Sequence, residues 1–183
     1  MKFFKPGHFL ISEPFLNDPN FHRSVILLTG ADAEGAFGFV LNHTTGLVIS
    51  DILPELEKLE LPVYQGGPVS TDNLYFIHRQ PERIPEGVLF TEGLYLGGNI
   101  NILKAELLNG NIRPQDVLFF IGYSGWSAGQ LESEIEEKSW IVADPKSIDI
   151  FKKDPANLWK QILMRSGGEN RIWANAPEDP VLN

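Results

Sequence analysis

Val117-Leu-Phe-Phe-Ile-Gly-Tyr-Ser-Gly-Trp-Ser-Ala-Gly-Gln-Leu-Glu-Ser-Glu-Ile135 passes from an unbroken apolar run, through a cluster of glycines, into an acidic segment. A run that is apolar at every position up to Ile121 reads as a strand covered on both faces. The spacing predicts a central strand over 117–123, a glycine-rich turn over 122–129 and a helix over 127–138. Ser127-Ala-Gly-Gln130 fits the capping box, in which the hydroxyl accepts from the Gln130 N–H and the Gln130 side chain reaches back. Glu132, Glu134, Glu136 and Glu137 then make a solvated helix face, with Glu134 and Lys138 four residues apart.

Upstream, short apolar runs alternate with turn chemistry. Residues 9–12, 24–28, 37–41, 74–78 and 88–90 read as further strands, separated by clusters such as Asn17-Asp-Pro-Asn20, Gly66-Gly-Pro68 and Gly97-Gly-Asn99. The helices are marked by their ends. Ile102, Leu103, Leu107 and Leu108 form an apolar stripe closed by Asn109-Gly110. Asp154-Pro155 starts a helix whose face is Leu158, Trp159, Ile162 and Leu163 and whose stop is Gly167. Asp144-Pro145 repeats the start signal for a short helix through Ile148 and Phe151, and a weaker helix is expected from Asp51 to about Leu59. Strands first and helices late indicate an α+β fold in one domain over 1–183, with a loose tail over 176–183.

Composition narrows the chemistry. The chain has 183 residues, a formal charge of −9 and no cysteine. Disulfides, thiolate metal sites and a cysteine nucleophile are therefore excluded. The acidic balance argues against direct nucleic-acid binding, which needs clustered positive charge. With no apolar run near the roughly 20 residues of a membrane span and no signal-peptide core, the expectation is a cytoplasmic protein without a membrane partner.

Gly125-Trp-Ser-Ala-Gly129 matches the G-x-S-x-G nucleophile elbow. No histidine follows Ser127, the four being at 8, 22, 43 and 78, so a hydrolase would have to use Ser124 or Ser127 with His78 in another order. An anion cradle at the same turn is disfavoured by Glu132 and Glu134, which already answer the helix dipole. The histidines show no metal-ligand spacing, and neither a metal nor a cofactor is expected. Gly66, Gly67 and Pro68 form a second turn, read either as simple punctuation or as backbone open to close approach. Trp126, flanked by glycine, could be exposed and grip a partner. If the strand ends converge, Asn42, Gly66, Gly67, Pro68, His78, Tyr123, Ser124, Gly125 and Trp126 would share a pocket suited to a small polar ligand or a protein segment. The plainer alternative is that each glycine relieves crowding in a coiled sheet.

Taken together, Gly7-His-Phe-Leu-Ile-Ser12, Phe21-His-Arg-Ser-Val-Ile-Leu-Leu28, Gly35-Ala-Phe-Gly-Phe-Val-Leu-Asn42, Gly66-Gly-Pro-Val69, Phe76-Ile-His78, Gly122-Tyr-Ser-Gly-Trp126 and Gly129-Gln-Leu-Glu132 resemble the YqgE/AlgH family of small bacterial proteins. The resemblance implies coiled, branching strands that close into a small barrel flanked by helices. It brings no established reaction, only a transcriptional-regulator label. The chain departs from the family pattern at His43-Thr44 and at Thr29-Gly30-Ala31. The function expected is a non-enzymatic, regulatory binding module, with the serine hydrolase as the competing class and direct DNA regulation as a third.

Overall fold

The structure is a computed structural model that describes residues 4–144, 148–168 and 170–177. Its strands are Phe9–Ser12 (β1), Val25–Asp32 (β2), Gly35–Val40 (β3), Thr44–Val48 (β4), Pro62–Gln65 (β5), Val69–His78 (β6), Val88–Thr91 (β7), Leu94–Leu96 (β8), Val117–Ser127 (β9) and Trp140–Ala143 (β10). The helices are Ile49–Ile52 (α1), Ile100–Leu108 (α2), Gln130–Glu136 (α3), Leu158–Ser166 (α4) and Asn170–Trp173 (α5).

Strands without alternation are covered on both faces, and the core clusters show by what. In β1 and β2, Phe9, Ile11, Val25 and Leu27 face α4, where Leu158, Trp159, Ile162 and Leu163 pack. Their neighbours Leu10, Ile26 and Leu28 face the opposite way, with Leu131 of α3, Trp126 and Trp140. In β9, Leu118 and Phe120 join the α4 side. Val117 and Phe119 pack instead with Leu103 and Leu107 of α2. A period of two thus serves two cores at once.

The sheet runs β10-β1-β2-β3-β9-β6-β8-β7, with β5 paired to β9 and β4 to β5. All ladders are antiparallel except β5 with β9. The branching expected from the family resemblance is present: β9 meets β5 through Phe119–Ile121 and β3 through Ser124–Ser127. The barrel is not. Among the described residues β10 and β7 are the two ends of an open path, so the expected closure into a small barrel is corrected to a large mixed sheet with few helices.

Three local expectations also change. Residues 122–127 are not a turn: β9 continues to Ser127, because Gly125, Trp126 and Ser127 find partners in Phe37, Ala36 and Gly35 of β3. Non-local pairing overrides local turn chemistry here. The cap of α3 is Gly129, held at φ 76°, and not Ser127. Only half of the expected box exists, the Gln130 side chain accepting from the Ser127 N–H at 3.0 Å. The helix expected over 51–59 splits into α1 and a 3-10 turn at Pro54–Leu56, since Pro54 holds Leu53 out of the helical region.

The end signal fares better at α2, which stops at Leu108 with Asn109 as its cap and Gly110 at φ 71°. Its start, which the sequence reading left unmarked, is capped by the Asn99 side chain, accepting from Asn101 N–H at 3.1 Å and Ile102 N–H at 3.2 Å. At α4, Asp154 ties a preceding turn and the helix begins at Leu158. Of the helix expected from Asp144-Pro145, residues 145–147 lie outside the described residues, and Ile150–Lys152 forms a 3-10 turn. Of the loose tail, 178–183 likewise lies outside them.

Candidate functional site

Gly122 decides which face of β9 points where. With φ at 66° it interrupts the alternation, so Tyr123 packs on the same α4 side as Phe120 although the two are three positions apart, which regular alternation would put on opposite faces. Beyond that point Tyr123, Gly125 and Ser127 share a face, while Ser124 and Trp126 turn away. The neighbouring β3 contributes Gly35, Phe37 and Phe39 to that face, and β6 contributes Val69 and Tyr75. These residues line an open cleft of about 630 Å³, rimmed by Asp32 and Glu34 of the β2–β3 turn. That volume falls within the range of small-molecule sites.

The cleft wall is aromatic. Phe37 and Tyr75 each stand nearly perpendicular to Tyr123, at 78° and 79°, with ring centres 6.3 and 5.9 Å away. Phe39 lies 5.5 Å from Tyr75 and closes the floor. Phe37 reaches this position by lying across Gly30, its registered partner on β2, where a Cβ would fall 2.0 Å from the ring. Phe37 remains 39% exposed, whereas Phe39 is buried.

The sequence-predicted residues divide. Tyr123, Gly125 and the alternative nucleophile Ser127 line the cleft, and Trp126 borders it while packing its ring with Leu131 and Trp140 on the opposite face. Trp126 is buried, not presented to a partner: its Nε1–H donates to Glu134 Oε2 at 2.8 Å, as does Trp140 Nε1–H at 2.7 Å. Gly66 and Gly67 pack backbone to backbone against β9, since a Cβ on either would fall 2.3 Å from the Gly122 or Tyr123 backbone. Pro68 is exposed beside them. Ser124 is buried and donates to the Gly66 carbonyl at 3.0 Å.

His78 and Asn42 are elsewhere. His78 pairs with Val117, seven residues along β9 from Ser124, on the order of 20 Å at the rise of a strand. Its Nε2 meets the Gly97 carbonyl at 3.0 Å and its Nδ1 accepts from the Gln80 N–H at 3.2 Å, so both nitrogens are engaged. Burial, partly offset by the Gly97 hydrogen bond, lowers its pKa. Neither serine therefore has His78 as a base. Asn42 ties β2 to the end of β3, accepting from Val25 N–H and donating to the Arg23 carbonyl, both at 2.8 Å.

One pair escapes sequence reasoning: Ser24 Oγ and His43 Nε2 lie 3.3 Å apart. That nitrogen also meets the His22 carbonyl at 3.0 Å, and a nitrogen donating to a carbonyl cannot take a serine proton. Ser24 is fully buried, and burial lowers the His43 pKa. The cleft residues Phe37, Phe39 and Tyr75 were missed as well. Their signal was the spacing of two in Gly35-Ala-Phe-Gly-Phe39, which puts both phenylalanines on one strand face. Among the described residues no group of three His, Asp or Glu side chains could hold a metal ion, and no helix is long and apolar enough to cross a membrane.

An AlgH-like family model matches residues 9–171. A UPF0301 protein of Cytophaga hutchinsonii is 43% identical over 97% of this chain and 98% of its own. One from Bacteroides thetaiotaomicron is 37% identical over 97% and 90%. The solution structure of the AlgH protein from Pseudomonas aeruginosa matches with a TM-score of 0.71 at 29% identity, covering 97% of this chain and 98% of that one. A crystal structure of a Corynebacterium diphtheriae protein shares the fold, with a TM-score of 0.73 at 22% identity over 96% and 94%.

Proposed function

The chain belongs to the AlgH-like family, and on that premise we propose that it is a non-enzymatic, cytoplasmic binding module whose ligand site is the cleft between the β2–β3 turn and the end of β9. The observation that carries this reading is the open cleft walled by Phe37, Tyr75 and Tyr123. The core faces of the sheet are covered by α2, α3 and α4, whereas these three rings stay partly exposed side by side along one cleft. Catalysis finds less support, because Ser124 and His78 are both buried, separated and committed to backbone partners. A regulatory role would follow from ligand occupancy of the cleft and not from direct contact with DNA, which the charge of −9 disfavours.

The test is amide-resolved NMR of the isotope-labelled protein against a mixture of small polar and aromatic compounds. Binding should perturb amides of 35–39, 69–75 and 123–127 together, and Ser127→Trp should abolish it by filling the cleft while leaving the remaining spectrum folded. Compounds that bind only elsewhere, or none that bind at all, would overturn the assignment.

A further inference from the structure

We infer that the cleft takes a ligand with an alkylated ammonium head, an inference that rests on the binding reading above. Three features of the lining point to this class. First, Phe37 and Tyr75 each stand nearly perpendicular to Tyr123, at 78° and 79° with ring centres 6.3 and 5.9 Å away, so three rings border the cleft. Ring faces carry negative quadrupole charge, and a cation within about 6 Å of several of them is attracted to each. Second, the two charged residues that line the cleft, Asp32 and Glu34, are both acidic, and no Lys, Arg or His lines it among the described residues. Third, the oxygen donors are too few for a hard, hydrated cation, since two carboxylates on a turn do not replace the six or more oxygens that calcium takes. A cation sheathed in methyl groups needs no such ligands. It offers apolar surface to the rings and charge to the rim.

Backbone geometry supports the arrangement. Phe37 lies across Gly30, and the Tyr123 ring leans over Gly125, whose added Cβ would meet Tyr123 Cε2 at 3.2 Å. Two side-chain-free positions thus leave room for the rings to stand where they do. The register pairs Phe37 directly with Gly125, so no side chain stands opposite Phe37 on β9.

The experiment compares choline with 3,3-dimethylbutan-1-ol, which replaces the charged nitrogen by carbon and is otherwise the same shape. Both are titrated into the labelled wild-type protein at constant ionic strength, and amide shifts at 35–39 and 123–127 are followed. The expected result is that choline binds in the cleft about tenfold more tightly than its neutral isostere. Phe37→Leu, at a partly exposed position, should remove that preference while leaving the fold intact. Glu34→Gln should weaken choline about twofold and leave the alcohol unchanged. Equal affinity of the two probes for the cleft would overturn the ammonium inference and leave the binding site standing. Absence of cleft shifts with either probe would overturn both.

Discussion

At its start β9 lies between β5 and β6, and Val117, Phe119 and Phe120 are buried on its two faces. At its end, from Ser124 onward, its registered partner is β3, and Gly125 and Ser127 are exposed over a cleft. Both ends sit beside glycine-rich segments, yet glycine does different work at each. Between the ends, Gly66, Gly67 and Gly122 bring two backbones into contact that any side chain would prevent. At the open end, Gly125 lies beneath the Tyr123 ring, whose Cε2 an added Cβ would meet at 3.2 Å, so there the close approach is to a side chain. The lesson is that a glycine beside a strand end marks close approach, while the partner in that approach, backbone or ring, is set by the sheet.

The sharpest way to break this contrast is Gly67→Ala. Its φ of 155° and the Tyr123 backbone at 2.3 Å leave a methyl nowhere to go, so we expect a loss of about 3 kcal/mol or more in urea unfolding. A stable Gly67→Ala protein would mean that the crossing is not close-packed. Next, Glu134→Ala removes the carboxylate that receives both Trp126 and Trp140 indoles. Two buried donors left without it should cost about 2 kcal/mol, read from the shift in denaturation midpoint. If the loss is near zero, α3 does not brace the back of the open end.

The closed end makes a pH prediction. Lys153 places its Nζ 3.9 Å from the centre of the Tyr64 ring, beside Phe120, and donates to the Ile150 carbonyl at 3.3 Å. Burial lowers its pKa to about 7 from 10.5. The unfolded chain therefore holds the proton between pH 7 and 10.5 while the folded chain does not, so this group's contribution to stability improves as pH rises through that window. Lys153→Met should stabilise the protein more at pH 6 than at pH 10, the difference shrinking as pH rises from 7 to 10. A gain independent of pH would show that Lys153 stays charged on the Tyr64 face. The smallest effect belongs to Ser127→Ala. With Gly129 as the cap, the hydroxyl is spared and stability should change by less than about 0.5 kcal/mol. A loss near 1 kcal/mol would restore the capping box and shorten the open end of β9.

The barrel and the turn over 122–129 failed for a shared reason. Both were readings of local sequence, or of family pattern, applied to a question of pairing. Nothing in Ser124-Gly-Trp-Ser127 shows that Gly35–Gly38 lies alongside it, nearly ninety residues earlier in the chain. His78 illustrates the converse. As a strand-end histidine it looked available, but its ring is buried and stacked on Tyr95, with both nitrogens held by backbone.

The chain alone settled what rests on neighbours a few residues apart: β1 to the residue, the two-faced burial of β2 and β9, the stop of α2 at Asn109-Gly110, and the family. Hydrophobic periodicity and capping are local, so they are legible in the chain. Long-range packing was needed to show that the sheet stays open, that Gly122 turns Tyr123 onto the face of Phe37 and Tyr75, and that the glycines of 66–67 close against β9 while Gly125 lies along a cleft. Each of these depends on strand pairing between distant segments, where the free energy comes from register and packing and not from the intrinsic preference of any one residue.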